Sequence, residues 1–394
     1  MHPHAAHFQR DRYSWLSYGM LAYFAYLQAI LGPLMPFLRA ELDLSYTLSG
    51  LHFSAFALGM VLAGLFTDAF AARFGRSITF WGGGLGMALG ALLFIRGERI
   101  EITLPAIAGM ATFGTMLVIM IQSTLSDRHG LQRGRALTEA NLAAGIAAGL
   151  APLMIGLGER SAWGWRSAIV LAVCCWLCFI LFARWFQILV PRAAAQQSET
   201  RDPVALSSRL PQRFWLIWSG LVCCVALEWC VIYWASTFLE DSVGLSQNRA
   251  AVALSAYFVG GIIARFAGSQ LTRKYRIEHL LQVALWISAL AFPLFWLAGN
   301  VWLVLLGLFI LGLGVANLFP FALVAASAAG HQAADQASAR ISLGNGCAIL
   351  VTPQLLGIAA DSIGIDRAYG IVLVLLVLAF LLFRKAERLP PSQL

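Results

Sequence analysis

The sequence predicts an all-α integral membrane protein with twelve transmembrane helices, arranged as two pseudo-symmetric six-helix bundles. Of its 394 residues, 60% are hydrophobic and only 12% are charged, and the mean hydropathy is +0.76. This is too little charge to cover the surface of a soluble protein of this size. The apolar runs are continuous, which favours helices over the alternating pattern of β-barrel strands. The second half of the chain also repeats the first.

The repeat is clearest between Leu44–Gly59, LSYTLSGLHFSAFALG, and Leu245–Gly260, LSQNRAAVALSAYFVG, which begins 201 positions later. Five of the sixteen aligned residues are identical, and each segment is the second long apolar run of its half. At an offset of 200, Gln28 aligns with Glu228, so the first helix of each half carries a polar group in its middle. We therefore expect two copies of one six-helix unit.

Helix length sets the number of spans, because about 20 helical residues cross a hydrocarbon core of roughly 30 Å. The predicted spans are 14–38, 47–71, 77–96, 102–124, 136–158, 164–186, 212–238, 247–272, 278–298, 301–326, 334–360 and 367–384. The predicted organisation is a tail (1–13), an N-terminal bundle (14–186), a linker (187–211), a C-terminal bundle (212–386) and a second tail (387–394).

Glycine and proline add two local expectations. Pro33 and Pro36 predict a kink at the outer end of span 1, because proline removes a helical hydrogen bond. The glycines between Gly82 and Gly90 give span 3 a small-residue face, which is typical of close contact with a neighbouring helix.

Orientation follows from the basic residues, which favour the cytoplasmic side of a membrane protein. With the amino terminus inside, 18 of the 27 lysines and arginines fall on the inner side and seven fall in outer loops. We therefore expect both termini to be cytoplasmic. Contact with anionic lipid head groups accounts for the net charge of +8, so a nucleic-acid partner is not expected.

No cofactor or metal site is predicted. The seven cysteines all fall within predicted spans, where they are expected to act as small apolar packing residues. His2, His4 and His7 could form a metal cluster, but a disordered tail is the favoured interpretation. The sequence has no G-x-x-x-x-G-K-[ST] loop, so ATP-driven work by this chain is not indicated.

Glu228 is the clearest functional candidate, because it is the only acid deep within a predicted span. A charged side chain at the bilayer centre costs about 2.5–3.5 kcal/mol on insertion scales, so an intramembrane acid points to a function. Such a carboxyl group could take up a proton on one side of the membrane and release it on the other, or it could recognise a hydroxyl or an amine of the substrate. The alternative is a neutral Glu228 that is hydrogen-bonded to a neighbouring helix.

Arg265 and Arg340 are the two cations assigned to span interiors. Arg340 could bind a carboxylate or a phosphate through a bidentate pair. Alternatively, it could extend to the inner interface, which lies about six residues away. For Arg265, structural pairing across the inner interface is favoured over substrate binding.

Several motifs resemble those of the major facilitator superfamily, and the six-plus-six organisation extends the resemblance over essentially the whole chain. The motifs are Gly64-x-x-x-Asp68 followed by Arg73-Phe74-Gly75-Arg76, then Gly164-Trp165-Arg166, and Gly268-x-x-Leu271-x-Arg273. The resemblance implies a cytoplasmic gate, in which the carboxylate pairs with arginine and a helix amino terminus across the interface between the halves. The expected gate residues are Asp68, Arg73, Arg76 and Arg265.

The gate motif departs from the family pattern in its spacing. Four extra residues separate Asp68 from the Arg73–Arg76 segment, and alignment on that segment places Ala72 at the acid position instead. Asp68 is therefore either the gate acid or an interfacial acid that caps a helix end.

The resemblance also implies that spans 1, 4, 7 and 10 face a central cavity. The predicted cavity residues are Tyr23, Tyr26, Gln28, Gln122, Glu228, Trp234, Tyr257, Asn317, Arg340 and Asn345. For the asparagines and Gln122 the alternative is a hydrogen bond between helices, and for the aromatic residues it is packing.

A secondary transporter is the function that the resemblance implies, moving a small organic solute across the bacterial inner (plasma) membrane by alternating access. Glu228 favours proton coupling, while efflux of a drug or metabolite and uncoupled facilitation are alternatives. The expected partners are the solute, protons and the lipid bilayer, and a monomer is expected. An intramembrane enzyme would need a constellation such as His-x-x-x-His, which the sequence lacks. A receptor or scaffold would need a further soluble domain or a long tail.

Overall fold

The computed structural model describes residues 9–159, 161–190 and 210–389. Every regular element in these ranges is helical, which confirms the predicted all-α class. The α-helices are α1 (Arg12–Ala29), α2 (Leu31–Leu42), α3 (Tyr46–Phe74), α4 (Arg76–Arg96), α5 (Ile100–His129), α6 (Arg133–Gly158), α7 (Arg166–Trp185), α8 (Gln212–Asp241), α9 (Gln247–Ala253), α10 (Ser255–Leu271), α11 (Ile277–Leu297), α12 (Val301–Val315), α13 (Leu318–Ala329), α14 (Ala334–Ile363), α15 (Ile365–Ala368) and α16 (Ile371–Glu387). The predicted linker and both predicted tails lie mostly outside these ranges.

Ten helical segments of the described ranges are long and apolar enough to cross a membrane, or up to eleven if the bent pair α1 and α2 forms one span. One of the ten is the 59-residue segment Ile100–Gly158, which contains α5, a 3-10 turn at Gly130–Gln132, and α6. At 1.5 Å per residue this segment is far longer than one crossing. The sequence predicts two spans there. The total of twelve spans and the cytoplasmic termini stay predictions.

Proline interrupts two of the apolar runs. Pro33 has no amide hydrogen to donate to the carbonyl of Ala29, and α1 and α2 are bent by 42° at this point. The kink predicted at the outer end of span 1 is confirmed. Pro320 likewise cannot donate a hydrogen bond to the carbonyl of Ala316, and helix α12 ends at Val315, one residue before Ala316. Predicted span 10 therefore contains a break at Asn317.

Two helix junctions depend on a single glycine. Gly75 separates α3 from α4 with φ of +88°, and Gly364 separates α14 from α15 with φ of +84°. Side chains with a Cβ rarely adopt this backbone conformation, so glycine allows the direction of the chain to change within one residue.

The chain divides into two compact units. Unit 1 comprises Met1–Gln28, Leu58–Ala151 and Arg166–Glu199, and unit 2 comprises Ala29–Ala57, Pro152–Trp165 and Thr200–Leu394. Unit 2 thus combines the second half of the chain with α2, the beginning of α3 and the end of α6. These units differ from the predicted bundles, 14–186 and 212–386, because α2 packs on α8 and α9, and the division into two six-helix bundles stays a prediction.

Within unit 1, α4 packs closely on α5 through its glycines. A Cβ atom added at Gly83 would lie 2.8 Å from the Phe113 carbonyl oxygen, and one at Gly90 would lie 2.7 Å from the Met110 nitrogen. Both distances are too short for any side chain. The close contact predicted for span 3 is therefore confirmed.

Candidate functional site

Glu228 lies in α8 of unit 2, opposite Arg265 of α10. The Glu228 Oε1 atom is 3.9 Å from Arg265 Nη2, and the two side chains are 15% and 53% exposed. This distance is at the limit of an ion pair and longer than a charge-assisted hydrogen bond. The acid is therefore held in the interior beside a cation that remains largely accessible.

A buried polar group near this pair lacks a partner in the part of the chain that the structure describes. Tyr257 is on α10, about two turns from Arg265. The Tyr257 hydroxyl is buried and has no hydrogen-bond partner among the described residues; elsewhere, on α14, the same is true of the Asn345 Oδ1 atom. Since buried polar groups are normally paired, an unpaired one is typical of a place that receives water or a ligand.

Of the three remaining predicted cavity residues of the second half, two donate hydrogen bonds to a neighbouring helix. Trp234 is fully buried and donates from Nε1 to the Pro353 carbonyl at 2.9 Å. Asn317 donates to the Ala264 carbonyl at 2.6 Å, which is the hydrogen bond between helices that the sequence left as an alternative. Arg340 is exposed.

The predicted cavity residues of the first half lie in unit 1 and have varied surroundings. Tyr23 is buried and its hydroxyl has no partner among the residues that the structure describes, whereas Tyr26 donates to the Ala168 carbonyl at 2.9 Å. Gln28 is half-buried, with Nε2 3.8 Å from the Met60 sulfur, and Gln122 is exposed. Tyr23 is thus the member of this group that combines burial with an available polar atom.

The predicted cytoplasmic gate is not assembled from its four residues. Asp68 is exposed and forms no ion pair among the described residues. Arg73 lies over the Phe74 ring at 5.4 Å, and Arg76 pairs with Asp127 at 2.5 Å. Arg265 faces Glu228 as described above. The gate role of these residues stays a prediction.

A cluster that the sequence did not predict lies at the opposite end, where the spans are predicted to reach the outer surface. This outer cluster consists of Arg39, Tyr46, Asp241 and Asp361, all within unit 2. Asp241, the last residue of α8, accepts from Arg39 Nη1 at 2.7 Å and from the Tyr46 hydroxyl at 2.8 Å. The Arg39 guanidinium also lies 4.0 Å from the centre of the Tyr46 ring.

Asp361 completes the outer cluster from α14. Its carboxylate accepts from the backbone amides of Tyr46 at 2.9 Å and Thr47 at 2.7 Å, the first two residues of α3. These amides have no partner within their own helix, and a negative charge at a helix amino terminus is favourable. The carboxylate of one half of the sequence therefore caps a helix of the other half.

Aromatic packing extends this contact inward. The ring of Phe53 stacks on that of Tyr233 at 4.2 Å with an angle of 2°, and it meets Trp234 edge-on at 5.4 Å. The Ser54 hydroxyl donates to the Leu350 carbonyl at 2.7 Å. Helix α3 is thus joined to α8 and α14 along its first two to three turns.

These features define the class of the molecule as a polytopic helical membrane protein with an internal acid–arginine pair. The sequence profile of the Major Facilitator Superfamily matches residues 17–285 and 217–394. The chain belongs to this family.

The relatives agree. An uncharacterized MFS-type transporter of Yersinia pestis is 22% identical over 352 residues, which is 88% of each protein. The fold is similar to that of a bacterial homologue of the human lysosomal transporter Spinster in an inward-facing, occupied conformation, with a TM-score of 0.75 and 15% identity over 97% of this chain and 98% of that one. A nucleoside transporter gives a TM-score of 0.73 with 14% identity, over 96% and 99% of the two chains.

The family establishes the general function. The protein is a multi-pass membrane transporter of small-molecule solutes, and it is not an enzyme.

Proposed function

We propose that this transporter couples the movement of a small polar solute to a proton across the bacterial inner membrane, by alternating access and as a monomer. The pair of Glu228 with Arg265 is the observation that carries the proposal. An acid in a membrane-spanning helix is costly unless it has a function, and a protonatable acid beside a cation can exist in two charge states. The Yersinia pestis relative supports the inner membrane as the location.

The two charge states differ in what Arg265 can bind. With Glu228 ionised, the two side chains neutralise each other. When Glu228 takes a proton, the guanidinium loses its counter-charge and can donate to an acceptor on the solute instead. Because the Arg265 side chain is about half exposed, it can reach a solute without moving far. Proton binding and solute binding are therefore linked through one arginine.

The chemistry of this site favours a solute with a carboxylate or a similar acceptor. Guanidinium groups bind planar anionic acceptors with two parallel hydrogen bonds. The Tyr257 hydroxyl, which has no partner among the described residues, can satisfy a further polar group of the solute.

The outer cluster supports alternating access. It ties α2 and the start of α3, from the first half of the sequence, to α8 and α14 of the second half. Access from the outer side would require these contacts to separate. Alternating exposure of one site is how transporters with repeated halves work.

Transport by the full chain in proteoliposomes with an imposed pH gradient tests the proposal. A panel of sugars, carboxylates and organic cations is offered, and internal pH is followed with a dye. We expect proton influx only with a carboxylate solute, and its loss in Glu228→Gln. The matched control is Glu101→Gln, at the exposed start of α5, which should behave as wild type.

The same assay separates the alternatives. Proton movement opposite to the solute would make the protein an efflux antiporter. Solute movement that ignores both the gradient and Glu228→Gln would make it an uncoupled facilitator and would contradict proton coupling.

A further inference from the structure

Two neighbouring cavities lie within unit 2 at the end predicted to face the cytoplasm. The first, which we call the basic cavity, has a volume of about 790 Å³ and is lined by Arg213, Lys274, Arg276 and Arg384 among others. The second, the apolar cavity, has a volume of about 510 Å³. Ile217, Leu281, Ala325 and Phe383 contribute to its lining. The cavities share Arg213, Glu278 and Glu387 on their walls.

The helix ends explain why these residues meet. Helix α8 begins at Gln212, α11 begins at Ile277, and α16 ends at Glu387. Residues at or next to these three helix ends line the basic cavity. The polar ends of these helices line the basic cavity, and the apolar residues next to those ends line the apolar cavity. The basic cavity therefore lies directly beside the apolar cavity.

The charges of the basic cavity are not balanced within the protein. Glu278 pairs with Arg276 at 3.6 Å, and Glu387 accepts from Gln282 at 3.2 Å. Arg213, Lys274 and Arg384 form no ion pair in the part of the chain that the structure describes. The Nε atom of Arg213 is buried and has no hydrogen-bond partner there. A buried donor without an acceptor is costly, so an anionic acceptor from outside the protein fits this position.

Two aromatic side chains, Trp286 and Phe380, lie beside the basic cavity. Trp286 is 52% exposed and meets the Phe380 ring edge-on at 5.0 Å, and the Arg384 guanidinium lies 5.2 Å from the centre of that ring. Exposed tryptophan beside arginine is typical of the level of the lipid head groups. Two of these side chains, Trp286 and Arg384, line the basic cavity, so its wall carries residue types that suit the head-group level.

We propose that the two cavities bind one anionic phospholipid. Its phosphate lies among Arg213, Lys274 and Arg384 in the basic cavity, and its glycerol and first acyl carbons contact the apolar cavity. Basic pockets between membrane helices on the cytoplasmic side suit anionic head groups. The apolar cavity favours a lipid over a free anion, because a free anion would leave it unfilled.

Native mass spectrometry of the purified full chain tests this site, with phosphatidylglycerol and phosphatidylethanolamine of identical acyl chains as probes. We expect wild type to retain one phosphatidylglycerol with at least about tenfold preference. The double variant Arg213→Gln/Arg384→Gln should lose that preference. The control Arg133→Gln/Arg184→Gln removes the same charge from exposed inner positions of unit 1 and should keep it.

A third variant keeps the test decisive if the double variant does not fold. Glu387→Gln removes a negative charge from both cavities and can keep its contact with Gln282, so it should retain phosphatidylglycerol more tightly. Unchanged or weaker retention in Glu387→Gln contradicts the proposal. Equal retention of the two lipids by wild type also contradicts it. If inorganic phosphate alone protects wild type from heating while neither lipid is preferred, the site takes a free anion and the lipid proposal is wrong.

Discussion

The outer cluster and the Glu228 site belong to the same unit, but their polar groups are satisfied to different degrees. In the outer cluster, Asp241 and Asp361 each accept two hydrogen bonds of 2.7 to 2.9 Å. Around Glu228 the Arg265 guanidinium is 3.9 Å away, and the buried Tyr257 hydroxyl has no hydrogen-bond partner within the described ranges. A fully paired network stabilises one arrangement, whereas a partly paired one leaves room for a ligand or a change of charge.

This difference assigns the two regions different roles. Under the proposed function, the outer cluster would hold one end of the molecule in a single arrangement, and the Glu228 site would respond to protons and solute. Substitutions in either region are expected to change how completely its polar groups are paired.

The largest effect is expected for Arg265→Gln, which leaves Glu228 without its counter-charge. Solute transport should fall by at least about tenfold, because charge-assisted hydrogen bonds contribute about 1.5–3 kcal/mol each. Arg265→Lys should recover part of the activity, since it restores the charge but not the bidentate geometry. Initial uptake rates in proteoliposomes measure both. Wild-type rates in Arg265→Gln would contradict a role in solute binding.

A smaller effect is expected for Asp361→Ala, which removes the carboxylate that caps α3. Loss of a helix cap costs about 1 kcal/mol, so the outer side should open about fivefold more often. A membrane-impermeant maleimide should then label Ser54→Cys faster, because Ser54 lies behind the outer cluster. The native cysteines are controlled by the same variants without Ser54→Cys. An unchanged labelling rate would show that Asp361 does not hold this end closed.

The smallest effect is expected for the pair of Arg39 with Asp241. Both side chains are partly exposed, 18% and 27%, and pairs of this kind contribute about 0.2–1 kcal/mol. A double-mutant cycle with Arg39→Gln and Asp241→Asn, read from thermal unfolding, should give a coupling energy in this range. A coupling above about 2 kcal/mol would mean that this pair, and not Asp361, dominates the outer cluster.

The sequence predicted the features that composition and single unusual residues reveal. The all-α class follows from continuous apolar runs and the bend in span 1 from Pro33, while the functional role of Glu228 stays a prediction. Each of these depends on local chemistry. None requires knowledge of which helices are neighbours.

Pairings between distant residues could not be predicted in this way. Arg265 was assigned to a gate with Arg73 and Arg76, yet it faces Glu228, because the rotation of α10 decides where its side chain points. Membrane helices are apolar on nearly every side, so periodicity does not reveal the inward face. The hydrogen bonds of three predicted cavity residues could not be read from the sequence for the same reason. Backbone carbonyls of neighbouring helices accept the polar hydrogens of Tyr26, Trp234 and Asn317.

The outer cluster was missed because its partners are far apart in sequence. Asp241 is 202 residues from Arg39, and Asp361 is 315 residues from Tyr46. Taken singly, each is an ordinary charge at the end of a span. A useful signal was present, since both acids fall where helices of the second half reach the predicted outer surface.

The most direct measurement of proton coupling compares two modes of transport in Glu228→Gln, using the solute that the panel identifies. Exchange of labelled for unlabelled solute requires no net proton movement, whereas accumulation against a gradient requires it. The account predicts that Glu228→Gln retains exchange and loses accumulation driven by the pH gradient, while Glu101→Gln retains both. Accumulation by Glu228→Gln at the wild-type level would contradict the proposal that Glu228 carries the proton.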